Sequence, residues 1–510
     1  MHTTIYSISE SPRDREVIWV GTDDGNVQLT RDGGKHWTNT AQNLKAVPKG
    51  SWISWVEASS HDAGTAFVAV DRHSFGDLAA HVFRTTDYGR SWTRVVAAEQ
   101  GVRGYANVIR QDSVDPNLLF LGTEFGLWIS NDGGSQWAKF EGGNFPSVSV
   151  RDLVVQEREG DLVVATHGRG IWIIDDIRPL RNFDNSTLAA EAKFLASRPT
   201  QQRIGGVGGW SEGDAGFVGE NAPGGAVITY YQRSRHLFGA LKLEILNAEG
   251  EVIDTIPASK RRGMNRVTWS MRVKPPSVPK AAQLAFAGTQ GPRVLPGTYS
   301  ARLTKNKQVY ETKFEVGLDR RASYTLADRK AQFDASMKVH GLFGRMTELT
   351  QRIQYLQMMA SGIAARLPEN DALRTQLGAF VADAEAVRKQ IVATKEGGAI
   401  TGEERLREHT DQLYSALVSY EGRPAATLTE RTVVLESDLA DIASEFDTLS
   451  ARALPKLNTE LKKRQLPELS WPPQDGMPPM ADVRSADGDV GGFSAPKKYY
   501  RHALSQLRLR

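Results

Sequence analysis

The side chains best suited to chemistry stand in short polar turns. Asp23 and Asp24 share one turn, Glu124 and Phe125 a second, and His167 and Arg169 a third. A longer segment holds Asp71, Arg72, His73 and Asp77, and Trp52, Trp55, Arg110 and Arg151 stand near strand entries. Two carboxylates facing each other across a cleft would act as an acid with a base or nucleophile in glycoside hydrolysis. Aromatic side chains beside them would stack on sugar rings. His73 with Asp71 and Asp77 has the donor types of a metal site but no fixed ligand spacing, so no metal is expected. His167 beside Arg169 reads as a polar turn feature rather than a general base. The plainer alternative for each acidic residue is that it holds its own turn together.

The elements that would position these residues repeat. Thr30-Arg31-Asp32-Gly33-Gly34-Lys35-His36-Trp37, Thr85-Thr86-Asp87-Tyr88-Gly89-Arg90-Ser91-Trp92 and Ser130-Asn131-Asp132-Gly133-Gly134-Ser135-Gln136-Trp137 share one pattern, Ser/Thr-x-Asp-x-Gly-x-x-Trp. The hydroxyl and carboxylate bond backbone N–H groups inside a tight turn. The Gly supplies a positive φ, and the Trp begins the next strand and is expected to bury its ring between sheets. This is the Asp box, and its Asp is structural rather than catalytic. Apolar runs at 17–22, 118–123 and 162–166 precede a turn and a second strand, which makes each copy a four-stranded β-propeller blade. A fourth copy ends at Asp175-Asp176 without Gly-x-x-Trp and reads as a terminal blade. Four blades are the lower limit for a closed propeller, so residues 1–180 are expected to form an incomplete one. An unclosed wedge exposes strand edges, which implies a truncated or split product, or an upstream chain completing the ring. The turns listing acidic residues would share the face opposite the Asp boxes, giving a candidate binding face of Asp23, Asp24, Asp71, His73, Asp77, Glu124, Arg151, His167 and Arg169.

Residues 181–215 read as a linker with a flexible core at Gly205-Gly206-Val207-Gly208-Gly209. Alternating strands with turn signals over 216–320 predict an immunoglobulin-like or fibronectin type III-like β-sandwich. From Thr325 the period becomes helical. Leu342, Met346, Leu349, Ile353 and Leu356 begin one apolar seam, Leu373, Leu377 and Phe380 a second, and Leu435, Leu439 and Ile442 a third. These predict an antiparallel four-helix bundle over 325–465, with capping boxes at Thr401-Gly402-Glu403-Glu404 and Thr427-Leu428-Thr429-Glu430. Residues 466–510 are Pro- and Gly-rich, then basic, and read as a disordered tail. The fold class is multidomain, β then α.

The chain has 510 residues and no cysteine. Disulfide scaffolds, cysteine zinc sites and thiol enzymes are therefore excluded. Its 63 basic and 60 acidic residues give a formal +3, too even for a nucleic-acid footprint. No apolar run reaches the roughly 18 residues of a membrane helix, and the first residues lack a signal-peptide layout. No cofactor is expected.

The tandem Asp boxes, Val20-Gly21-Thr22-Asp23-Asp24-Gly25 and Ala165-Thr166-His167-Gly168-Arg169-Gly170-Ile171-Trp172-Ile173 resemble the large bacterial BNR-repeat proteins, often labelled glycosyl hydrolase-like or sortilin-like. Gly263-Met264-Asn265-Arg266-Val267-Thr268-Trp269 and Leu295-Pro296-Gly297-Thr298-Tyr299 resemble their C-terminal domain. The resemblance covers about residues 1–465. It implies a protein roughly twice this long, extracellular or periplasmic, whose first blades are absent here. The Asp box is shared by sialidases, xyloglucanases, sortilins and photosystem assembly factors, so it specifies fold more than function. No Arg-Ile-Pro element of sialidases occurs, and xyloglucanase acids do not map onto this chain. Two functions follow: a scaffold binding a carbohydrate or protein ligand, or a fragment of a glycoside hydrolase acting on polysaccharide.

Overall fold

The computed structural model of the chain describes residues 4–181, 183–204, 222–395 and 403–471. Its first part is a row of small antiparallel sheets arranged as propeller-like blades. Blade 1 contains β1 (Ile5–Ser11), β2 (Asp14–Thr22), β3 (Val27–Thr30) and β4 (Thr38–Asn39). Blade 2 contains β5 (Trp52–Ala58), β6 (Ala66–Asp71), β7 (His81–Thr85) and β8 (Thr93–Arg94). Blade 3 contains β9 (Ala106–Gln111), β10 (Leu119–Thr123), β11 (Gly126–Ser130) and β12 (Ala138–Lys139). Blade 4 has three strands, β13 (Val150–Gln156), β14 (Asp161–Thr166) and β15 (Ile171–Ile174), each sheet being a simple meander.

Each Asp box closes the turn before an outer strand by the same local bonds. The hydroxyls of Thr30, Thr85 and Ser130 donate to Asp32, Asp87 and Asp132 at 2.8–2.9 Å. They also accept the amides of Gly34, Gly89 and Gly134, each at 2.9 Å. The same carboxylates accept the amides of His36, Ser91 and Gln136. The His36 amide holds the Asp32 carboxyl well below the usual carboxylate range. The Ser91 hydroxyl holds Asp87 down at about 2. These aspartates are occupied by their own turns.

The blades stack through apolar faces in register. Val27, Leu29 and Trp19 of blade 1 meet Ile53, Val56 and Val68 of blade 2. Phe67 and Val82 of blade 2 meet Ile109, Leu121 and Trp128 of blade 3. Phe120, Leu127 and Ile129 of blade 3 meet Val150, Leu153 and Val164 of blade 4. The expectation that every box Trp is buried between sheets fails at the first box. Trp137 packs into the blade 2–blade 3 core and Trp92 packs edge-on to Trp19 of blade 1. Trp37 belongs to blade 1, meets no preceding blade among the described residues, and is 44% exposed.

The segment expected as a linker is partly built into the next unit. A short helix α1 (Asn185–Ala189) is capped by Asp184, and β16 (Ala192–Leu195) and β17 (Thr200–Gln202) follow. The glycine core at 205–209 lies outside the described residues. Later strands are β18 (Ala226–Gln232), β19 (Leu241–Leu246), β20 (Val252–Ile256), β21 (Gly263–Trp269), β22 (Gly297–Lys305) and β23 (Gln308–Leu318). They form one sheet in the order β16-β18-β21 and another in the order β17-β23-β22-β19-β20. One core, including Tyr230, Trp269, Leu243, Ile245 and Leu303, draws on both sheets. Arg266 of β21 fastens this unit to blade 4 by donating to the backbone carbonyls of Asp175 and Asp176 at 2.8 and 2.6 Å.

Four helices follow: α2 (Leu326–Ala364), α3 (Ala372–Ile391), α4 (Leu406–Ser419) and α5 (Ala426–Lys463). Their seams converge on one core with Leu342, Met346, Phe380, Tyr414, Leu435 and Phe446. Thr325 and Asp328 form a reciprocal capping box on α2. The box expected at Thr427 is absent, because α5 begins at Ala426 and takes Thr427 into its first turn. The box expected at Thr401 and nearly all of the expected tail fall outside the described residues. No helix among the described residues is long and apolar enough to cross a membrane.

Candidate functional site

In a meander, the starts of the innermost strands and the turns after the second strands share one end of every blade. Several of the sequence-selected residues meet there. β6 ends at Asp71, whose buried carboxylate accepts both the amide and the Nδ1 of His73 at 2.8 Å. Fixing Nδ1 leaves Nε2 as the ring nitrogen directed elsewhere. The His73 ring stacks on Tyr105, with centroids 4.6 Å apart and planes 21° apart. Burial and a hydrogen bond with Glu124 both push the Tyr105 hydroxyl above its ordinary value. Glu124, in the β10–β11 turn, faces Arg151 at 3.4 Å. Arg151, near the start of β13, also donates to the Asn107 side-chain oxygen at 3.2 Å.

Asp71, His73, Tyr105, Glu124, Arg151 and Asn107 thus form one continuous line of contacts across blades 2, 3 and 4. It presents an imidazole, a phenol and a guanidinium together, a mixed set of donors and acceptors suited to a polar ligand. Trp52 pairs opposite Asp71 in the β5–β6 ladder and meets Tyr6 of blade 1 edge-on at 4.7 Å.

The other selected residues are placed apart from this line. Asp24 accepts from Thr22 and Asn26, and Asp23 accepts the Thr4 amide at 2.8 Å. Both act within the blade 1 turn. Asp77 does not join His73. It accepts from His81 at 2.8 Å and from Arg72 at 3.3 Å. Partial burial would raise its carboxyl, but the His81 bond and the Ala79 amide hold it below its ordinary value. His167 and Arg169 are exposed on the blade 4 turn. Among the described residues, no side-chain contact joins them to the line. No group of three or more His, Asp or Glu converges as a metal site among those residues. Trp55 and Arg110 lie deeper on the inner strands, where Arg110 stacks over Trp55 and donates to Glu57 at 2.6 Å.

Sequence reasoning missed Tyr105 and Asn107. Neither belongs to a motif. Their one signal is position: both stand at the entry to an innermost strand, as Arg151 does.

A second concavity, of about 700 Å³, lies between blade 4 and the two-sheet unit. Phe145, Trp172 and Ile173 line one side, and Val227, Met264 and Arg266 the other. None of the residues in the polar line borders it.

No family model matches the chain. Over 88 residues it is 27% identical to an oligoxyloglucan-reducing end-specific xyloglucanase of Emericella nidulans, which is 17% of this chain and 10% of that protein. The chain therefore spans about a tenth of the curated relative it matches. Among solved structures, YCF48 bound to D1 peptide aligns at 18% identity and a TM-score of 0.27, over 34% of this chain and 50% of that one. The GH74 xyloglucanase of Xanthomonas campestris aligns at 15% identity and a TM-score of 0.27, over 64% of this chain and 46% of that one. PorZ of Porphyromonas gingivalis aligns at 16% identity and a TM-score of 0.24, over 61% of this chain and 51% of that one.

Proposed function

We propose that the chain is a ligand-binding scaffold of an exported BNR-repeat protein. A carbohydrate or protein ligand would seat on the blade face carrying the Asp71–Asn107 line. The two-sheet unit would serve as an immunoglobulin- or fibronectin-like spacer and the helices as a docking module. The observation that carries this reading is the state of the carboxylates on that face. Asp23, Asp24, Asp71, Asp77 and Glu124 each have a protein partner. Such paired carboxylates order donors for binding, whereas glycoside hydrolysis needs an acid and a base or nucleophile facing one bond.

A second reading, a glycoside hydrolase fragment acting on polysaccharide, draws on the 88-residue match to a xyloglucanase. One experiment separates the two. Oligosaccharides and peptides are titrated calorimetrically against the wild type, His73→Ala and Arg151→Ala, with reducing ends assayed in parallel. The scaffold reading expects binding that weakens about tenfold or more in the variants, the equivalent of ~1.4 kcal/mol, with no reducing ends released. Turnover that disappears in Asp24→Ala or Glu124→Ala would overturn it.

A further inference from the structure

One end of the two-sheet unit carries apolar side chains that its core does not use. The loop between β18 and β19 holds Leu237 and Phe238, which are 64% and 87% exposed. Phe238 is the most exposed large apolar side chain among the described residues. The loop beneath it is fixed by polar bonds. The His236 ring is buried, its Nε2 donates to the Gly239 carbonyl at 3.1 Å, and its amide donates to the Lys260 carbonyl at 2.9 Å. The Asn306 amide donates to the Ala240 carbonyl at 2.7 Å. Gly239, at φ 87°, passes the Asn306 side chain where a Cβ would collide. Leu237 and Phe238 are therefore held on the outside of an ordered loop.

The same bonds gather the β18–β19 loop, the β20–β21 loop and the β22–β23 turn at this end. Arg235, Lys260, Arg262 and Lys307 stand on them, all exposed. None of these four makes an ion pair among the described residues, and residues 233–240, 257–262 and 305–308 contain no Asp or Glu. Glu191, the carboxylate beside this end, is held by Arg233 and Lys305 at 2.9 and 2.6 Å. A phenyl ring 87% exposed is a protrusion, which inserts, rather than a groove, which receives. We propose that this tip docks the chain on an anionic phospholipid bilayer. Phe238 and Leu237 enter the boundary between headgroups and acyl chains, where apolar area gains from leaving water. The four cations meet lipid phosphates, and each adds to the attraction within a Debye length of the surface. The contact is peripheral and needs no membrane-spanning helix. This inference does not depend on what the blade face binds.

The chain has no cysteine, so a polarity-sensitive dye on Phe238→Cys reports from the tip alone. Phe286→Cys, at a ring 76% exposed elsewhere, is the control. With vesicles of mixed phosphatidylcholine and phosphatidylglycerol, the tip dye should shift to the blue and become protected from an aqueous quencher. The control dye should stay in water, and vesicles of phosphatidylcholine alone should move neither. Co-sedimentation of the unlabelled full chain gives the size of each contribution. Phe238→Ser should weaken vesicle binding about tenfold or more. Lys260→Gln and Arg262→Gln should weaken it about fivefold each, an effect that fades as salt rises. All three sites are exposed, so circular dichroism and melting temperature should not change. A wild type that stays in the supernatant, as it would if the tip docked only on an acidic protein, would overturn the proposal. So would vesicle binding that Phe238→Ser leaves intact, or a dye shift as large from Phe286→Cys.

Discussion

Trp137 and Trp37 occupy the same place in the same turn, yet 8% of the first is exposed against 44% of the second. The Trp137 Nε1 donates to the Val95 carbonyl of blade 2 at 3.4 Å. The Trp37 Nε1 turns back to the Gly34 carbonyl of its own box at 3.0 Å. The comparison separates two roles within one motif. The hydroxyl, carboxylate and glycine build the turn from neighbours in sequence, so the turn forms at the end of the array as well as inside it. Burial of the indole depends on a preceding blade, which is a tertiary condition.

Truncation of the two indoles should break the symmetry most. Trp137→Ala removes a ring from the blade 2–blade 3 core and is expected to cost about 3 kcal/mol or more. Trp37→Ala, at an open face, should cost less than about 1 kcal/mol in the single chain. Urea unfolding of both variants measures the difference, and equal losses would contradict the account.

The box glycines give the next effect. A Cβ on Gly134, at φ 93°, would collide with the Val95 Cγ1 of the preceding blade. A Cβ on Gly34, at φ 95°, would meet nothing nearer than its own Trp37 at 3.9 Å. Both alanine variants incur left-handed backbone strain of about 1 kcal/mol or more. Gly134→Ala adds an overpacking cost of roughly 1–3 kcal/mol. Thermal unfolding should rank Gly134→Ala well below Gly34→Ala.

The same division explains what is legible in the sequence. The boxes, the alternating strands and the helical seams each depend on residues within a few positions, so the antiparallel sheets and the C-terminal helices can be read directly. The fate of Trp37 cannot, because it depends on a neighbour outside its own turn. β16 and β17 are too short to show a period, and they form by pairing with β18 and β23, far along the chain. Part of the polar line can be read from turn chemistry, namely Asp71, His73, Glu124 and Arg151. Tyr105 enters it by stacking on a ring from the previous blade and by a hydrogen bond with Glu124, about twenty positions on, contacts without local trace.

A charged position on the inner strands gives the smallest effect and the sharpest test of inside against end. Ser9, Glu57, Arg110 and Val154 are equivalent along the four ladders. Blade 2 and blade 3 meet there through Glu57 and Arg110, and the Arg110 Nε reaches the Leu153 carbonyl of blade 4 at 2.6 Å. Val154 at the open end has no such partner in the array. Burial pushes the Glu57 carboxyl up to about 7, against the pull of Arg110. A raised carboxyl favours the folded state fully below its unfolded value near 4.5, and that contribution is lost as pH rises through 7. The lowered box carboxylates, Asp32 and Asp87, are already ionised in this window and do not contribute to the change. Wild-type stability should therefore fall between pH 5 and 7 relative to Glu57→Gln, by on the order of 1 kcal/mol, with the two curves parallel above pH 8. Substituting Val154 with threonine at the end face should leave that slope in place, since no buried charge there changes its proton. Parallel curves for wild type and Glu57→Gln across pH 5–7 would mean that Arg110 holds the carboxylate ionised in the folded chain, and the inner position would then be a fixed ion pair rather than a titrating one.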